Sequence, residues 1–273
     1  MGNTNTNISR TEFSSTRPWL FDENVTVGEQ KTPIVMFVVK ARLTGAFNVF
    51  RQRKFNFNIV DEFGNTPLHY AAESNGLYVE ALLNEGLDPC AQNKKGHTPL
   101  IVAVISKKTN HISLLADAMF IRDKDYNGPI HHAIKLRSTD MVKELIRYTP
   151  KLPKHWILTY NEPVDYHLNY FPNVEGFPPM HLAVVNMDLP MVKLLLSLGG
   201  NINSEYNGKT PKRILVGIGA SLRYGGVFPM KQCTKERVME MWSVITEDTN
   251  VHRHVDASAD RHTGLLTGEY KCF

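Results

Sequence analysis

The sequence is short of cysteine. Its 273 residues hold only three, Cys90, Cys233 and Cys272. An odd, widely spaced set offers no disulfide framework and no Cys-x-x-Cys pair for zinc. It fits a reducing compartment. Long apolar runs are also missing. The longest, Ile34-Val35-Met36-Phe37-Val38-Val39, falls well short of the roughly 20 residues that span a bilayer. The N-terminus has no apolar signal-peptide core, so the sequons Asn7-Ile8-Ser9 and Asn24-Val25-Thr26 are read as unmodified. Neither sign of charge dominates: the net charge is +4, without the concentrated basic face of a nucleic-acid binder.

Catalytic signatures are missing as well. There is no Gly-x-Ser-x-Gly elbow, P-loop or His-Glu-x-x-His. Gly217-Ile218-Gly219 has neither the third glycine nor the preceding strand of a dinucleotide loop. The expectation is a non-enzyme without cofactor, metal, small-molecule substrate or nucleic-acid partner.

What is present is a repeat. Gly64-Asn65-Thr66-Pro67-Leu68-His69-Tyr70-Ala71-Ala72 is the clearest copy, and Gly96-His97-Thr98-Pro99-Leu100 repeats its start. Gly176-Phe177-Pro178-Pro179-Met180-His181-Leu182-Ala183 and Gly208-Lys209-Thr210-Pro211 follow, with weaker copies at Lys31–Ile34 and Asp123–Ala133. The register prolines 33, 67, 99, 129, 179 and 211 are spaced by 34, 32, 30, 50 and 32 residues. The unit resembles the ankyrin repeat, whose period is about 33 residues and whose signature is Thr-Pro-Leu-His-x-Ala. The resemblance covers roughly residues 28–248. It implies an all-α solenoid of stacked helix-turn-helix units with β-hairpin-like turns.

Each signature residue has a physical reason. Thr66 is placed to cap a helix, and Pro67 takes the first helical position, where no N–H is needed. Leu68, Ala71 and Ala72 point inward. Second helices are expected at Val79–Asn84, Met141–Tyr148 and Met191–Ser197, with Gly86 and Gly199 terminating two of them. A helix pair cannot bury its apolar face alone, so stacking completes the core and the end units act as caps. His69, His131 and His181 sit at the signature position, where the resemblance implies hydrogen bonding within and between repeats. His131 and His132, as helix neighbours, do not share a face.

Three stretches depart from the pattern. Tyr126 stands where the turn glycine belongs and Gly128 where the capping threonine belongs, which predicts a distorted turn. The 50-residue spacing holds an insertion of about 17 residues within 149–173, rich in aromatics including Trp156. Such a loop either supplies binding anchors or packs on the solenoid. The last repeat is expected to be irregular around Gly217–Ala220, with a helix resuming at Lys235–Thr246 and presenting Val238, Met241, Trp242 and Ile245 on one face. Residues 1–27 read as a flexible arm and 249–273 as a weakly ordered tail.

The opening Met1-Gly2-Asn3-Thr4-Asn5-Thr6 matches the N-myristoylation pattern and makes Gly2 a candidate lipid anchor. One myristoyl chain binds a membrane marginally, so a second signal is required. The basic clusters Arg51–Lys54 and Lys151–His155 are solvated faces or contacts for an acidic partner or lipid surface.

In the resembled family, partners meet the concave face: the turn tips and the exposed side of the first helices. The matching tip positions here are Glu62, Phe63, Lys94, Lys95, Lys124, Asp125, Val174, Glu175, Tyr206 and Asn207. The helix positions are Glu73, Ser74, Ser106, Lys135 and Asn186. Phe63 and Tyr206 are the leading anchors. The expected function is a protein-binding adaptor or inhibitor, cytoplasmic or tethered at the cytosolic face of a membrane. The alternatives are the cytosolic assembly region of an ion channel and a pathogen-encoded mimic of a host regulator.

Overall fold

The computed structural model describes residues 26–27, 32–74, 77–149, 171–223 and 234–256. Among these are one short hairpin, eleven α-helices and two 3-10 turns. Strands β1 (Thr26–Val27) and β2 (Thr32–Pro33) pair antiparallel. The helices follow as α1 (Ile34–Lys40), α2 (Thr44–Gln52), α3 (Pro67–Glu73), α4 (Tyr78–Asn84), α5 (Pro99–Ile105), α6 (Pro129–Lys135) and α7 (Thr139–Tyr148). The last four are α8 (Pro179–Val185), α9 (Leu189–Ser197), α10 (Pro211–Arg223) and α11 (Lys235–Asp256).

The register prolines set the frame. Pro67, Pro99, Pro129, Pro179 and Pro211 each open a helix, as a residue without an N–H can. Pro33 instead closes β2 and sits one residue before α1. First helices stack in the order α1, α3, α5, α6, α8, α10. Their inward positions repeat: Leu68, Ala71 and Ala72 correspond to Leu100, Ala103 and Val104, to Ile130, Ala133 and Ile134, and to Met180, Ala183 and Val184, all fully buried. Alanine at the second inward position of each helix (Ala71, Ala103, Ala133 and Ala183) lets neighbouring helices approach closely. Second helices cover this row with Val79 and Leu82 in α4, Val142 and Leu145 in α7, and Val192 and Leu195 in α9.

The third unit has no second α-helix. Two 3-10 turns, Thr109–His111 and Ala116–Ala118, replace it and bury Ile112, Leu115 and Met119. Buried His111 turns back to the preceding unit, its Nδ1 lying 3.1 Å from the Ala72 carbonyl oxygen.

Two expectations are corrected. The turn containing Tyr126 is not distorted. Tyr126 adopts the left-handed conformation, φ +58°, and the turn keeps the hydrogen bonds of its glycine counterpart: Tyr126 N–H to Asp123 O at 3.0 Å, as Gly96 N–H to Asn93 O at 2.8 Å. The last unit is not broken at Gly217–Ala220 either. Helix α10 runs through both glycines and reaches 13 residues. Gly219 lies against α11, since a Cβ there would stand 3.4 Å from Val238 Cγ1. Helix α11 does bury Met241 and Ile245, with Val238 and Trp242 packed beside them. It extends beyond Thr246 to Asp256, into the stretch read as tail.

Within the insertion, only Thr149 and 171–173 are described. Both ends pack: Thr149 is buried and its hydroxyl donates to Leu145 O at 2.9 Å, and Phe171 joins the core. Trp156, Gly2 and the arm before residue 26 lie outside the described residues.

Candidate functional site

The turns between units are built on one device. Asp61 Oδ1 accepts from the N–H groups of Phe63 (2.9 Å) and Asn65 (2.8 Å). Asn93 does the same for Lys95 and His97, Asp123 for Asp125 and Asn127, and Asn173 for Glu175 and Phe177. A short acceptor side chain can close such a loop because it reaches the main chain two and four residues ahead. In each case the residue three positions later has positive φ: Gly64, Gly96, Tyr126 and Gly176. Sequence reasoning did not single out these four residues. Their signal was Asp or Asn three places before the turn glycine.

The tips are then joined to one another. Lys94 N–H donates to Phe63 O (2.8 Å), Lys124 N–H to Lys95 O (3.2 Å) and Val174 N–H to Asp125 O (3.1 Å). The last bond crosses the insertion, so the fifth unit stacks on the fourth despite the extra chain. The predicted residues Phe63, Lys94, Lys95, Lys124 and Asp125 are therefore brought onto one hydrogen-bonded ribbon. With the backbone fixed this way, their side chains face solvent: Glu62, Lys94, Lys95, Lys124, Asp125, Glu175 and Asn207 are all exposed. So are Glu73 and Lys135, the last residues of α3 and α6.

Apolar side chains lie among these charges. Phe63 is 50% exposed, Tyr126 57% and Val174 62%. Tyr126 was read only as a defect in the repeat, whereas its side chain is among the most exposed aromatics described. Tyr206 is half-buried, and its backbone pairs with Lys209 in both directions at 2.9 and 3.0 Å. It is therefore less of a free anchor than Phe63. Ser74 is buried, its hydroxyl donating to Ala71 O at 3.0 Å, and offers no contact surface. Ser106 and Asn186 are partly covered.

The histidines hold units together. His69 Nε2 reaches His97 O across to the next unit at 2.9 Å, and His181 Nε2 reaches Lys209 O at 3.0 Å. On the other side of the ring, Thr66 N–H donates to His69 Nδ1 and Gly128 N–H to His131 Nδ1, both at 3.1 Å. Pro178 has no N–H to give, and His181 Nδ1 has no partner among the described residues. Burial first, against an opposing backbone hydrogen bond, lowers the pKa of His69 and His181 from the ordinary imidazole value. A separate cluster, His97, Asp123 and His132, brings three metal-ligating side chains within 4.8 Å of one another.

The family model for ankyrin repeats (three copies) matches residues 35–125, 74–157 and 117–206. The chain belongs to the ankyrin-repeat family. Ankyrin repeats form protein–protein interaction modules. The chain is 28% identical over 174 residues to the human transient receptor potential cation channel subfamily A member 1, covering 53% of this chain and 16% of the channel. It is also 28% identical over 156 residues to a putative ankyrin repeat protein of fowlpox virus, covering 55% of this chain and 32% of the viral protein. The chain thus spans less than a third of either relative. The ankyrin repeat domain of Bcl-3, described as a unique member of the IkappaB protein family, superposes with a TM-score of 0.55 at 20% identity, covering 77% of this chain and 97% of that domain. That likeness establishes the solenoid.

Within this ankyrin stack, Gly217 and Gly219 sit inside α10, so they form no phosphate loop. No described helix is long and apolar enough to cross a membrane.

Proposed function

We propose that this ankyrin-repeat chain is a non-enzymatic adaptor or inhibitor that holds a protein partner along its turn tips and first-helix ends. The observation that carries this reading is the ribbon of tips from Phe63 to Val174. Its backbone is fixed by hydrogen bonds between units, so an exposed aromatic on it loses little further backbone freedom on binding. Phe63 and Tyr126 supply the apolar anchors, of the aromatic kind enriched at interface hot spots. Lys94, Lys95 and Lys124 stand between them and favour a partner with acidic groups around an apolar centre. Glu62, Glu73, Asp125, Lys135, Glu175, Tyr206 and Asn207 form the rim, and Trp156 belongs to the insertion that would extend it. The protein acts in the cytoplasm, tethered to a membrane by myristoyl-Gly2 together with a second signal.

The experiment compares wild type with the Phe63→Ala/Lys94→Ala/Lys95→Ala/Tyr126→Ala variant and, separately, with Gly2→Ala. Captured proteins, membrane fractionation and melting temperature are read together. Loss of the captured partner at unchanged melting temperature supports the tip surface; retained capture removes it. Loss of membrane association in Gly2→Ala alone supports the anchor.

The similarity to the cation channel favours a second reading, in which the repeats are a regulatory assembly region. Transcripts continuing past Phe273 into apolar spans of about 20 residues would decide for it. The fowlpox relative favours, in the same way, a pathogen protein acting on a host regulator.

A further inference from the structure

Three side chains from two consecutive turns and the helix after them converge on one point. His132, in α6, places Nε2 2.8 Å from Asp123 Oδ2. His97, from the preceding turn, places its own Nε2 3.7 Å from the same oxygen. The two imidazoles meet edge to face with centroids 5.5 Å apart. We propose that His97, Asp123 and His132 form a binding site for a divalent transition-metal ion of the zinc class, clamping the third unit to the fourth.

The ligand set suits such an ion. Two imidazole nitrogens and one carboxylate oxygen, with a position left to solvent, make the three-ligand pattern of open zinc sites. Bonds of about 2.0–2.2 Å in a tetrahedral arrangement put ligand atoms roughly 3.3–3.5 Å apart. The two carboxylate-to-imidazole separations of 2.8 and 3.7 Å bracket that spacing, and the imidazole nitrogens lie within 4.8 Å of each other, so side-chain rotations can close the three groups on an ion. Asp123 is almost wholly buried, whereas the His97 and His132 side chains are 19% and 16% exposed, which leaves an entry path for the ion.

The groups are held from behind. Asp123 Oδ1 is committed to the N–H groups of Asp125 and Asn127 at 2.9 and 2.8 Å, which turns Oδ2 toward the histidines. The His97 main chain is fixed on both sides, its N–H on Asn93 Oδ1 at 3.0 Å and its carbonyl on His69 Nε2 at 2.9 Å. Such outer contacts orient ligands and raise metal affinity. Lys95 and Lys135 are nearby charges that oppose a cation, and Asp125 offsets part of them.

The second unit shows what this geometry looks like without ligands. There Asp61 occupies the place of Asp123, and Tyr70 occupies that of His132, its hydroxyl donating to Asp61 Oδ2 at 2.7 Å. Asn65 Nδ2 gives the same oxygen a second donor at 3.0 Å. Both donors belong to the same unit as Asp61, so His97, which comes from the preceding turn, has no counterpart among them.

The test titrates metal-depleted full-length protein with zinc sulfate by calorimetry and follows the melting temperature. His132→Tyr reproduces the Tyr70–Asp61 bond, and His97→Asn places at 97 the residue that stands at the matching positions 65 and 127, so both variants are expected to fold. Wild type should take up one tight equivalent and melt higher with zinc. Each variant should weaken that equivalent by more than the roughly 10–100-fold cost of losing an outer-shell contact. Equal uptake by wild type and both variants would place the ion on other histidines or cysteines and overturn the site. No uptake by wild type would overturn it as well.

Discussion

Phe171 occupies the space that a side chain at Gly128 would need: a Cβ built at 128 would collide with Phe171 Cε1. The ring is held there by Arg122, whose guanidinium lies 4.1 Å from its centroid, and by the His131 ring at 5.5 Å. Loss of the capping threonine in this unit is therefore matched by an aromatic from the far end of the insertion. Gly128→Ala should cost about 1–3 kcal/mol, the usual penalty of overpacking. In a Phe171→Leu background the same change should cost less, with a coupling energy of about 1 kcal/mol or more in a double-mutant cycle. Urea unfolding of the four proteins measures it. An equal cost in both backgrounds would mean that the ring is not the reason for the glycine.

Tyr126 carries a backbone penalty that its neighbours in the other turns avoid by being glycine. A left-handed conformation costs a residue with a Cβ about 1–2 kcal/mol, partly offset because glycine is less constrained when unfolded. Tyr126→Gly should thus leave stability unchanged or raise it by up to about 1 kcal/mol. If the side chain is kept for a partner, the same variant should bind that partner less well. A Tyr126→Gly protein that is markedly less stable would show instead that the ring supports the turn.

The buried histidines make stability depend on pH. In His69, His111 and His181, burial first lowers the folded-state pKa, against backbone hydrogen bonds that raise it. The unfolded chain, with imidazoles near about 6.5, then binds more protons than the folded one. Stability is fully present above that value and is lost as pH falls below it, through the folded pKa values. The urea midpoint should fall between pH 7 and pH 5.5. A midpoint that stays level or rises over that interval would contradict the burial of these rings in neutral form.

Much of this was legible in the residues. The prolines at 67, 99, 129, 179 and 211 mark helix starts because within a helix a residue without an N–H fits only the first turn. At Tyr126 the repeat pattern states a preference and not a necessity: glycine is favoured at positive φ, but four side-chain and main-chain bonds around Asp123 hold a tyrosine there. The role of Gly128 was hidden because its partner is 43 positions away, on the other side of the insertion. The His97, Asp123 and His132 cluster was invisible for the same reason. It is assembled by the stacking of two units, and no spacing along the chain announces it. Exposure at the tips could be inferred from the repeat register, but the covering of Tyr206 and Ser74 depends on contacts that the register does not contain.

Helix α10 offers the plainest stability test. The first helices α1, α3, α5, α6 and α8 span seven residues each, while α10 spans thirteen and carries Gly217 in its interior. A Cβ at 217 would meet nothing within 4 Å, and the position is exposed. Gly217→Ala therefore adds no clash and removes the conformational freedom that glycine gives the unfolded chain. The expected gain is about 0.5–1 kcal/mol. Because neighbouring units of a solenoid stabilise one another through their shared interface, the gain should appear first as slower amide exchange in α10 and α11. Gly219→Ala is the control, since its Cβ would press on Val238 at 3.4 Å and should gain less or lose. If Gly217→Ala instead destabilises the protein, the helix does not continue through 217, and the break expected from the glycines is real.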